Sequence, residues 1–211
     1  MKTILCFGDS NTYGSPGRPL EIKSIRHRHE DRWTSVLQHQ LGAGFHVIPE
    51  GLPGRTTVHD DPVEGAHKNG RRALLACLES HAPVDAVVLM LGTNDLKARF
   101  GLSAWDIAQG AGALLKIIRN FSAEQGPIKI LLICPPPILE VGGFAAMFKG
   151  GAEKSQAMPA ALLDVAALHG AAFLDAGKWV KSSLGDGIHL DKPEHLQLGN
   201  IVATSLLTLL N

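Results

Sequence analysis

Lys2-Thr3-Ile4-Leu5-Cys6-Phe7-Gly8-Asp9-Ser10 opens the sequence with an apolar run that stops abruptly at small and polar residues. Residues 4–7 are apolar at successive positions, so both faces of this segment need to be covered. A strand buried on both faces is typical of a parallel sheet packed between helices. The stretch therefore predicts a first parallel strand at Lys2–Phe7, with Ser10 just beyond its carboxyl end.

Four further aliphatic or β-branched runs predict strands, and helical patterns separate them. These strand segments are Phe45–Glu50, Ala86–Leu91, Lys129–Cys134 and Ala171–Leu174. Apolar residues at helical spacing predict helices over roughly 33–41, 73–81, 104–118, 158–168 and 191–209. Ser103 and Asp106 form a capping-box pattern at the start of the third helix. The alternation predicts a three-layer α/β/α sandwich with a five-stranded parallel sheet, a flavodoxin-like fold.

The length and the charge of the chain limit its domain number and its kinds of partner. The 211 residues suit a single domain spanning 1–211, and a composition that is 45% hydrophobic can fill a sizeable core. Twenty basic and twenty acidic residues cancel to a formal net charge of +0. This balance gives no electrostatic reason to expect a nucleic acid or an anionic membrane as a partner. A near-neutral chain also tolerates self-association, which is compatible with a homo-oligomer.

The amino-terminal run and the cysteines indicate a compartment. The run is too short for the core of a signal peptide, and no stretch approaches the roughly 18 apolar residues of a transmembrane helix. Cys6, Cys77 and Cys134 are odd in number and far apart, which is typical of free thiols in a reducing compartment. We therefore expect a cytoplasmic protein without a membrane partner.

Three polar motifs hold the residue types that acyl transfer requires. Ser10 follows the first strand, Gly92-Thr93-Asn94-Asp95 follows the third, and Asp186-Gly187-Ile188-His189 comes just before the final helix. Ligands of doubly wound sheets bind beyond the carboxyl ends of the strands. A serine nucleophile, an amide donor for an oxyanion and an acid–base pair are the parts of a serine hydrolase.

Each motif also has a simpler interpretation when it is taken alone. Ser10 is a common type of helix cap, Asn94 could cap the segment that follows it, and Asp186 with His189 could form a solvated turn. The three-residue spacing, however, lets Asp186 orient one nitrogen of His189 and leaves the other nitrogen for a substrate. The joint placement of the motifs favours catalysis.

The segment Glu50-Gly51-Leu52-Pro53-Gly54 follows the second strand and offers a further oxyanion donor. We expect the oxyanion hole to combine the backbone N–H groups of Ser10 and Gly54 with the side-chain amide of Asn94. Each correctly aimed donor is worth on the order of 3 kcal/mol of barrier. Gly51 competes with Gly54 for this role, and Gly54 could also be an ordinary turn glycine.

The sequence resembles the SGNH hydrolases, also called the GDSL esterase family. Gly8-Asp9-Ser10 is similar to the first of the four family blocks, with Asn11 where leucine is common, and Gly54 stands in the second. Gly92-Thr93-Asn94-Asp95 is similar to the third block and Asp186-Gly187-Ile188-His189 to the fourth. The blocks follow the family order across nearly the whole chain. The bacterial arylesterase and acyltransferase branch is the most similar part of the family.

The resemblance implies a serine esterase that acts on short-chain acyl or aryl esters. Ser10 would be the nucleophile, His189 the base and Asp186 the residue that orients the base. The resemblance implies a small-molecule ester substrate, no metal, no cofactor, and acyl transfer to alcohols as a further activity. Carbohydrate acetyl esters are an alternative substrate class, and thioesters or lysophospholipids are a third. The branch forms closed oligomers, including octamers, so the resemblance also implies self-association.

Two segments fit the strand–helix alternation poorly. Residues 15–31 are rich in arginine and histidine, and residues 135–155 are rich in glycine with aromatic side chains that we expect to be exposed. A long loop of this kind beside a site is a lid, a subunit contact or a plain surface loop. We expect the segment 135–155 to be a lid or an oligomer contact.

Other function classes have weaker support. Four histidines lie in predicted loops: His27, His29, His59 and His67. A metal site would combine them with Asp60 or Asp61, but no H-E-x-x-H pattern or cysteine pair is present. We therefore interpret these histidines as solvated. No G-x-S-x-G nucleophile elbow is present. A flavodoxin-like binding module would leave the pair Asp186 and His189 unexplained.

Overall fold

The computed structural model describes residues 1–17 and 26–210 and contains a five-stranded parallel sheet. The strands lie in the order β2-β1-β3-β4-β5, and every neighbouring pair is parallel. They are β1 (Lys2–Gly8), β2 (Phe45–Gly51), β3 (Ala86–Met90), β4 (Lys129–Cys134) and β5 (Ala172–Asp175). The predicted fold class is confirmed, and each predicted strand end lies within one residue of its observed position.

Six α-helices of the described residues pack around this sheet. They are α1 (Ser10–Tyr13), α2 (Trp33–Leu41), α3 (Gly70–Ser80), α4 (Ala104–Gln125), α5 (Gly151–Leu168) and α6 (Lys192–Leu210). The predicted capping box is present at the start of α4, where the Ser103 hydroxyl accepts from the Asp106 N–H and the Asp106 carboxylate accepts from the Ser103 N–H. Reciprocal capping satisfies two backbone donors that a helix start leaves open.

Successive side chains of β1 point to opposite faces of the sheet and so belong to two separate halves of the core. Leu5 and Phe7 belong to the apolar cluster that α3, α4 and α5 form on one face of the sheet. Ile4 and Cys6 belong to the cluster that α2 and α6 form on the other face. All four side chains are fully buried, which explains why the strand is apolar at successive positions.

The strand order identifies the end of the sheet at which ligands bind in open α/β folds. The chain leaves β1 toward β2 on one side and continues with β3 on the other side, so the order reverses at the carboxyl ends of β1 and β3. The loop of residues 176–191 runs back from β5 along this end. It contacts the loop after β4, where Leu139 N–H donates to Gly187 O over 2.8 Å, and it reaches α1 through Asn11.

The segment 135–155 differs from the expectation in two ways. Helix α5 already begins at Gly151, before the apolar stripe that predicts a helix from Met158, so the irregular segment ends at residue 150. Its aromatic side chains are not exposed: Phe148 is buried and Phe144 is half-buried. Burial of large rings is favourable, and the segment folds back so that Phe148 joins the core beside α4 and α5. A function as a lid or subunit contact stays a prediction.

The other irregular segment, 15–31, is described only in part, because residues 18–25 lie outside the described residues. Of the three cysteines, Cys6 and Cys134 are buried and Cys77 is half-buried, and all three are free thiols. Over residues 1–17 and 26–210, no helix combines the length and the apolar character that crossing a membrane requires.

Candidate active site

Ser10 is the first residue of α1, a single helical turn that follows β1 directly. Asp9 caps this turn, because its carboxylate accepts from the Asn11 N–H over 2.9 Å. The N–H of Ser10 has no acceptor within residues 1–17 and 26–210, as is usual for the first N–H of a helix. A hydroxyl and a free backbone donor therefore lie side by side at the carboxyl edge of the sheet.

Asp186 and His189 form a hydrogen-bonded pair. Nδ1 of His189 lies 2.6 Å from Oδ2 of Asp186, while Oδ1 of Asp186 accepts from the N–H groups of Ile188 and His189 over 2.9 Å each. Burial raises the pKa of the Asp186 carboxyl, but the hydrogen bond and charge of His189 and the backbone donors outweigh it. The net pKa lies below its ordinary value. The carboxylate is therefore ionised and turns Nε2 of His189 away from itself.

The ring of Phe144 packs against His189. The two ring centroids are 5.9 Å apart with an edge-on geometry, and Phe144 in turn contacts Phe148 at 6.4 Å. The side chain of His189 is only 13% exposed as a result. The segment after β4 thus supplies an apolar wall for the imidazole, which strengthens its interaction with Asp186.

The loop of His189 is tied to the helix of Ser10 through the side chain of Asn11. Its Nδ2 donates to Ile188 O over 3.2 Å, and its Oδ1 accepts from the Leu190 N–H over 2.9 Å. Ser10 Oγ itself makes no hydrogen bond to His189 within the described part of the chain. Hydrogen bonds between a nucleophile and its base are often long without substrate.

Asn94 lies beside Asp9, the cap of the Ser10 helix, and is 5% exposed. Its Nδ2 donates to Arg55 O over 3.1 Å and lies 3.4 Å from Oδ2 of Asp9. Burial raises the pKa of the Asp9 carboxyl to about 6, and the charge of Asp95 acts in the same direction. The structure therefore brings Asn94 to the same end of the sheet as Ser10. Its contact with Asp9 is long, and another acceptor could take the place of the Asp9 carboxylate.

The two candidate glycines of the β2 loop differ in surroundings. Gly51 lies within β2, and a Cβ there would collide with the backbone of Thr12 and Tyr13, so the absence of a side chain permits α1 to pack on β2. Gly54 lies in the loop beyond the strand with φ of +82°, and its N–H has no acceptor among the described residues. The free donor makes Gly54 the better candidate than Gly51 for the predicted oxyanion donor.

Arg55 is a residue of the site whose role is visible only in the structure. It is 5% exposed, its guanidinium lies 4.1 Å from the centre of the Phe7 ring, and it donates to Gly8 O over 2.8 Å and to Glu50 O. The guanidinium thus ties the carboxyl ends of β1 and β2 together, while the Arg55 carbonyl holds Asn94. These partners, an aromatic ring and two backbone carbonyls, show that the Arg55 cation is buried. They cannot be read from the sequence.

Asp95 is a second residue whose part in the site is visible only in the structure. Its carboxylate accepts from the Thr57 N–H at 3.1 and 3.0 Å and from the Thr57 hydroxyl at 2.5 Å. Complete burial raises the pKa of Asp95. The pair joins the loop after β2 to the loop after β3, so the positions of Gly54 and Asn94 depend on each other.

A charged cluster lies behind Gly54. Nζ of Lys97 is 3.2 Å from Asp61 Oδ2 and 2.5 Å from Glu64 Oε1, and Arg99 is 2.9 Å from Asp61. A Cβ at Gly54 would collide with Oε2 of Glu64. The cations hold Glu64 in place, so this cluster fixes the space around the glycine.

The loop histidines do not converge on a metal site in the described residues, where no group of three or more potential ligands could hold an ion. Asp61 is instead paired with Lys97 and Arg99. His27 contacts the buried ring of His195 at 4.8 Å, and His59 contacts Phe100 at 6.0 Å. His27 and His59 therefore contact other rings, and His27 also lies within hydrogen-bond distance of the Leu190 carbonyl.

Solved structures with the same fold cover this chain from end to end. Est24, a carbohydrate acetylesterase from Sinorhizobium meliloti, matches with a TM-score of 0.94 and 36% identity over 99% of this chain and 100% of its own. The native M. smegmatis aryl esterase matches with a TM-score of 0.92 and 37% identity over the same shares. A further carbohydrate acetylesterase family member from S. meliloti has a TM-score of 0.92 and 39% identity over 100% of this chain and 99% of its own.

No protein with a curated function matches the sequence significantly. The family of GDSL-like lipases/acylhydrolases, by contrast, matches residues 6–195, a span that includes Ser10, Gly54, Asn94, Asp186 and His189. The family match and the structural similarity agree with the resemblance in the four sequence blocks. The chain therefore belongs to the GDSL-like lipase/acylhydrolase family, and it is a carboxylic ester hydrolase of the SGNH type.

Proposed function

We propose that this esterase cleaves short-chain acyl and aryl esters through an acyl-enzyme on Ser10. The observation that carries the proposal is the 2.6 Å hydrogen bond from His189 Nδ1 to Asp186, in a loop that Asn11 ties to the helix of Ser10. This arrangement leaves Nε2 of His189 as the nitrogen that can take a proton from a nucleophile.

Acylation would begin when Ser10 Oγ attacks the carbonyl carbon of the ester. Nε2 of His189 takes the hydroxyl proton, and the ionised Asp186 stabilises the imidazolium that results. Collapse of the tetrahedral intermediate breaks the bond to the alkoxy oxygen. His189 gives its proton to this oxygen, so the alcohol or phenol leaves and the acyl group stays on Ser10.

The negative oxygen of the intermediate would be held by three donors. The free N–H groups of Ser10 and Gly54 provide two, and the side-chain amide of Asn94 provides the third. In the free enzyme this amide has only a 3.4 Å contact to Asp9 beside its bond to Arg55 O. An oxyanion would replace this long contact at little cost.

Deacylation would repeat these steps: water attacks the acyl-enzyme as nucleophile, and His189 takes its proton as base. An alcohol that reaches the acyl-enzyme before water would accept the acyl group instead, which is acyl transfer. The apolar wall of Phe144 and Phe148 next to His189 supports this second outcome, because it limits the water around the base.

Acetylated sugars are the second candidate substrate class. The similarity to two S. meliloti proteins described as carbohydrate acetylesterases supports it, and the similarity to the M. smegmatis aryl esterase supports aryl esters. Thioesters and lysophospholipids have no corresponding support among these relatives. The two favoured classes share the acyl group and differ in the leaving alcohol.

A panel of esters tests the proposal. p-Nitrophenyl acetate, butyrate and octanoate vary the acyl chain, while per-acetylated glucose and xylose vary the leaving alcohol. We expect turnover of acetate and butyrate esters by the wild type and none by Ser10→Ala, measured at equal protein concentration with circular dichroism of both. Faster cleavage of octanoate than of acetate would contradict the short-chain assignment. Higher kcat/KM for the sugar acetates than for the aryl acetate would favour the carbohydrate class.

We also propose that the enzyme is a cytoplasmic homo-oligomer. The free thiols of Cys6, Cys77 and Cys134 support a reducing compartment. Trp105 and Trp179 are 64% and 56% exposed, and exposed tryptophans of this kind support a subunit contact. Light scattering on the purified protein, including tests for an octamer, gives the subunit number; a monomer at micromolar concentration would contradict the assembly.

A further inference from the structure

The side chain of Asn11 pairs with the backbone on both sides of His189. Asn11 Nδ2 donates to the carbonyl of Ile188, the residue before the histidine, and Oδ1 accepts from the N–H of Leu190, the residue after it. Asn11 is 1% exposed, so both hydrogen bonds are shielded from water. A primary amide that makes both bonds fixes the position and the direction of the peptide segment between them.

Asn11 also belongs to the same helical turn as Ser10. Its own N–H is held by the Asp9 carboxylate over 2.9 Å, so its backbone is fixed to the cap of α1. The amide of Asn11 therefore connects two segments that are 177 residues apart in the sequence. One segment holds the candidate nucleophile and the other holds the candidate base.

We propose that Asn11 is a positioning residue that sets the distance and angle between Ser10 and His189. The inference rests on the proposed roles of Ser10 as nucleophile and His189 as base. Asn11 does not touch the substrate; it acts through the backbone of His189. Leucine, the residue common at this position in the family, has nearly the same shape but neither a donor nor an acceptor. In this chain, where the register of the His189 loop on α1 rests on the two hydrogen bonds of Asn11, leucine would remove both of them.

Gln38 supplies a matched control within the same chain. Its Nε2 donates to Phe45 O over 3.1 Å and its Oε1 accepts from the Val47 N–H over 2.8 Å, so it brackets His46 as Asn11 brackets His189. Gln38 lies on α2 next to the start of β2, whereas the site lies at the carboxyl ends of the strands. Gln38→Leu removes the same two kinds of hydrogen bond, together with a weaker one from Nε2 to Gly42 O over 3.3 Å, without touching the catalytic machinery.

The experiment compares Asn11→Leu with Gln38→Leu in the full-length protein. We expect both variants to melt at a lower temperature than the wild type. Only Asn11→Leu should lose kcat on p-nitrophenyl acetate, by about 10- to 100-fold with KM within about twofold, because a displacement of about 1 Å between reacting groups can cost on the order of 100-fold. Asn11→Ala is the second variant, which cannot overpack the site and should show the same split between kcat and KM.

A double-mutant cycle with His189→Ala separates positioning of the base from a general structural effect. If Asn11 acts through the base, adding Asn11→Leu to His189→Ala should change the residual rate by less than about twofold, since residues that act as a unit are strongly non-additive. An equal loss in both backgrounds would overturn the inference, and so would an unchanged kcat in Asn11→Leu and Asn11→Ala. Full activity of His189→Ala would instead overturn the proposed function, so the two failures are distinguishable.

Discussion

The backbone N–H of Trp33 donates to Nδ1 of His195 over 3.2 Å, within the contact between α2 and α6. His195 is fully buried, and its Nε2 has no hydrogen-bond partner among the described residues. An imidazole that accepts at Nδ1 is neutral and carries its proton on Nε2. Protonation of Nδ1 would break the bond to Trp33 and bury a charge next to His27, whose ring lies 4.8 Å away.

His195 should make the folded state sensitive to acid. Burial lowers its pKa to about 3, whereas a histidine of the unfolded chain has a pKa of roughly 6.5. Between these values the unfolded state binds a proton that the folded state does not, so stability falls as the pH falls below 6.5. At pH 5 this amounts to about 2 kcal/mol of lost unfolding free energy.

Urea unfolding at pH 7 and pH 5 measures this loss. His195→Asn is the comparison, because its amide oxygen stands where Nδ1 of histidine does, can accept from the Trp33 N–H and does not titrate. We expect the wild type to lose about 2 kcal/mol more than the variant over this range. Parallel losses in the two proteins would show that His195 is not the group responsible.

Removal of the proposed nucleophile, Ser10, or of the proposed base, His189, should abolish turnover without unfolding the chain. Ser10 begins the helical turn α1 and His189 lies in the loop before α6. Backbone contacts and Asn11 hold both segments, so alanine at either position leaves the fold in place. Either variant should show kcat on p-nitrophenyl acetate reduced by about 10⁴-fold or more, since the pair works as a unit. Circular dichroism and melting temperature check the fold, and retained turnover in folded Ser10→Ala would refute the assignment.

Asn94→Ala should lower kcat by on the order of 100-fold through loss of an oxyanion donor. KM should change little, because the donor is aimed at charge that develops only in the transition state. Asn200→Ala, at an exposed position on α6, is the matched control and should keep the wild-type kcat. A change in KM alone would mean that Asn94 binds the substrate in its ground state.

Gly54→Ala tests the second backbone donor. Gly54 has φ of +82°, and a Cβ there meets the carboxylate of Glu64, whereas Gly42 has φ of +75° with nothing within 4 Å of a Cβ. Backbone strain from an alanine should cost on the order of 1–3 kcal/mol of unfolding free energy at either position, and the contact with Glu64 adds to the cost at Gly54. Only Gly54→Ala should also lower kcat, by at least about tenfold, because a displaced donor loses part of its roughly 3 kcal/mol. Equal kcat values in the two variants would exclude Gly54 from the oxyanion hole.

The fold could be predicted because its signals are local. The apolar run Lys2–Phe7 needs cover on two faces, and the other strands and the capping box at Ser103 have patterns that can be seen within a few residues. The spacing of Asp186 and His189 is local as well, and the structure places the pair in a hydrogen bond. Helix α5 was predicted to begin too late because its first turn, from Gly151, shows no apolar stripe.

The supporting residues of the site could not be predicted because their partners are distant in the sequence. Asp95 binds Thr57, 38 residues earlier, and Arg55 binds the carbonyl of Gly8, 47 residues earlier. Nothing in a short window distinguishes a buried arginine from a solvated one. Phe144 shows the same limit: its hydrophobicity is clear from the sequence, but its contact with His189 depends on how the loop after β4 folds back.

The sequence separation of 177 residues between Asn11 and Ile188 has a consequence for the synthesis of this enzyme. At a ribosomal rate of about 5–20 residues per second, the loop of His189 is made roughly 10 to 35 s after the helix of Ser10. Throughout this interval the nascent chain has the proposed nucleophile but not its base. During this interval, esters in the surroundings therefore cannot acylate the nascent chain at the catalysed rate, and hydrolysis begins only after the loop of His189 has been made and has folded onto α1.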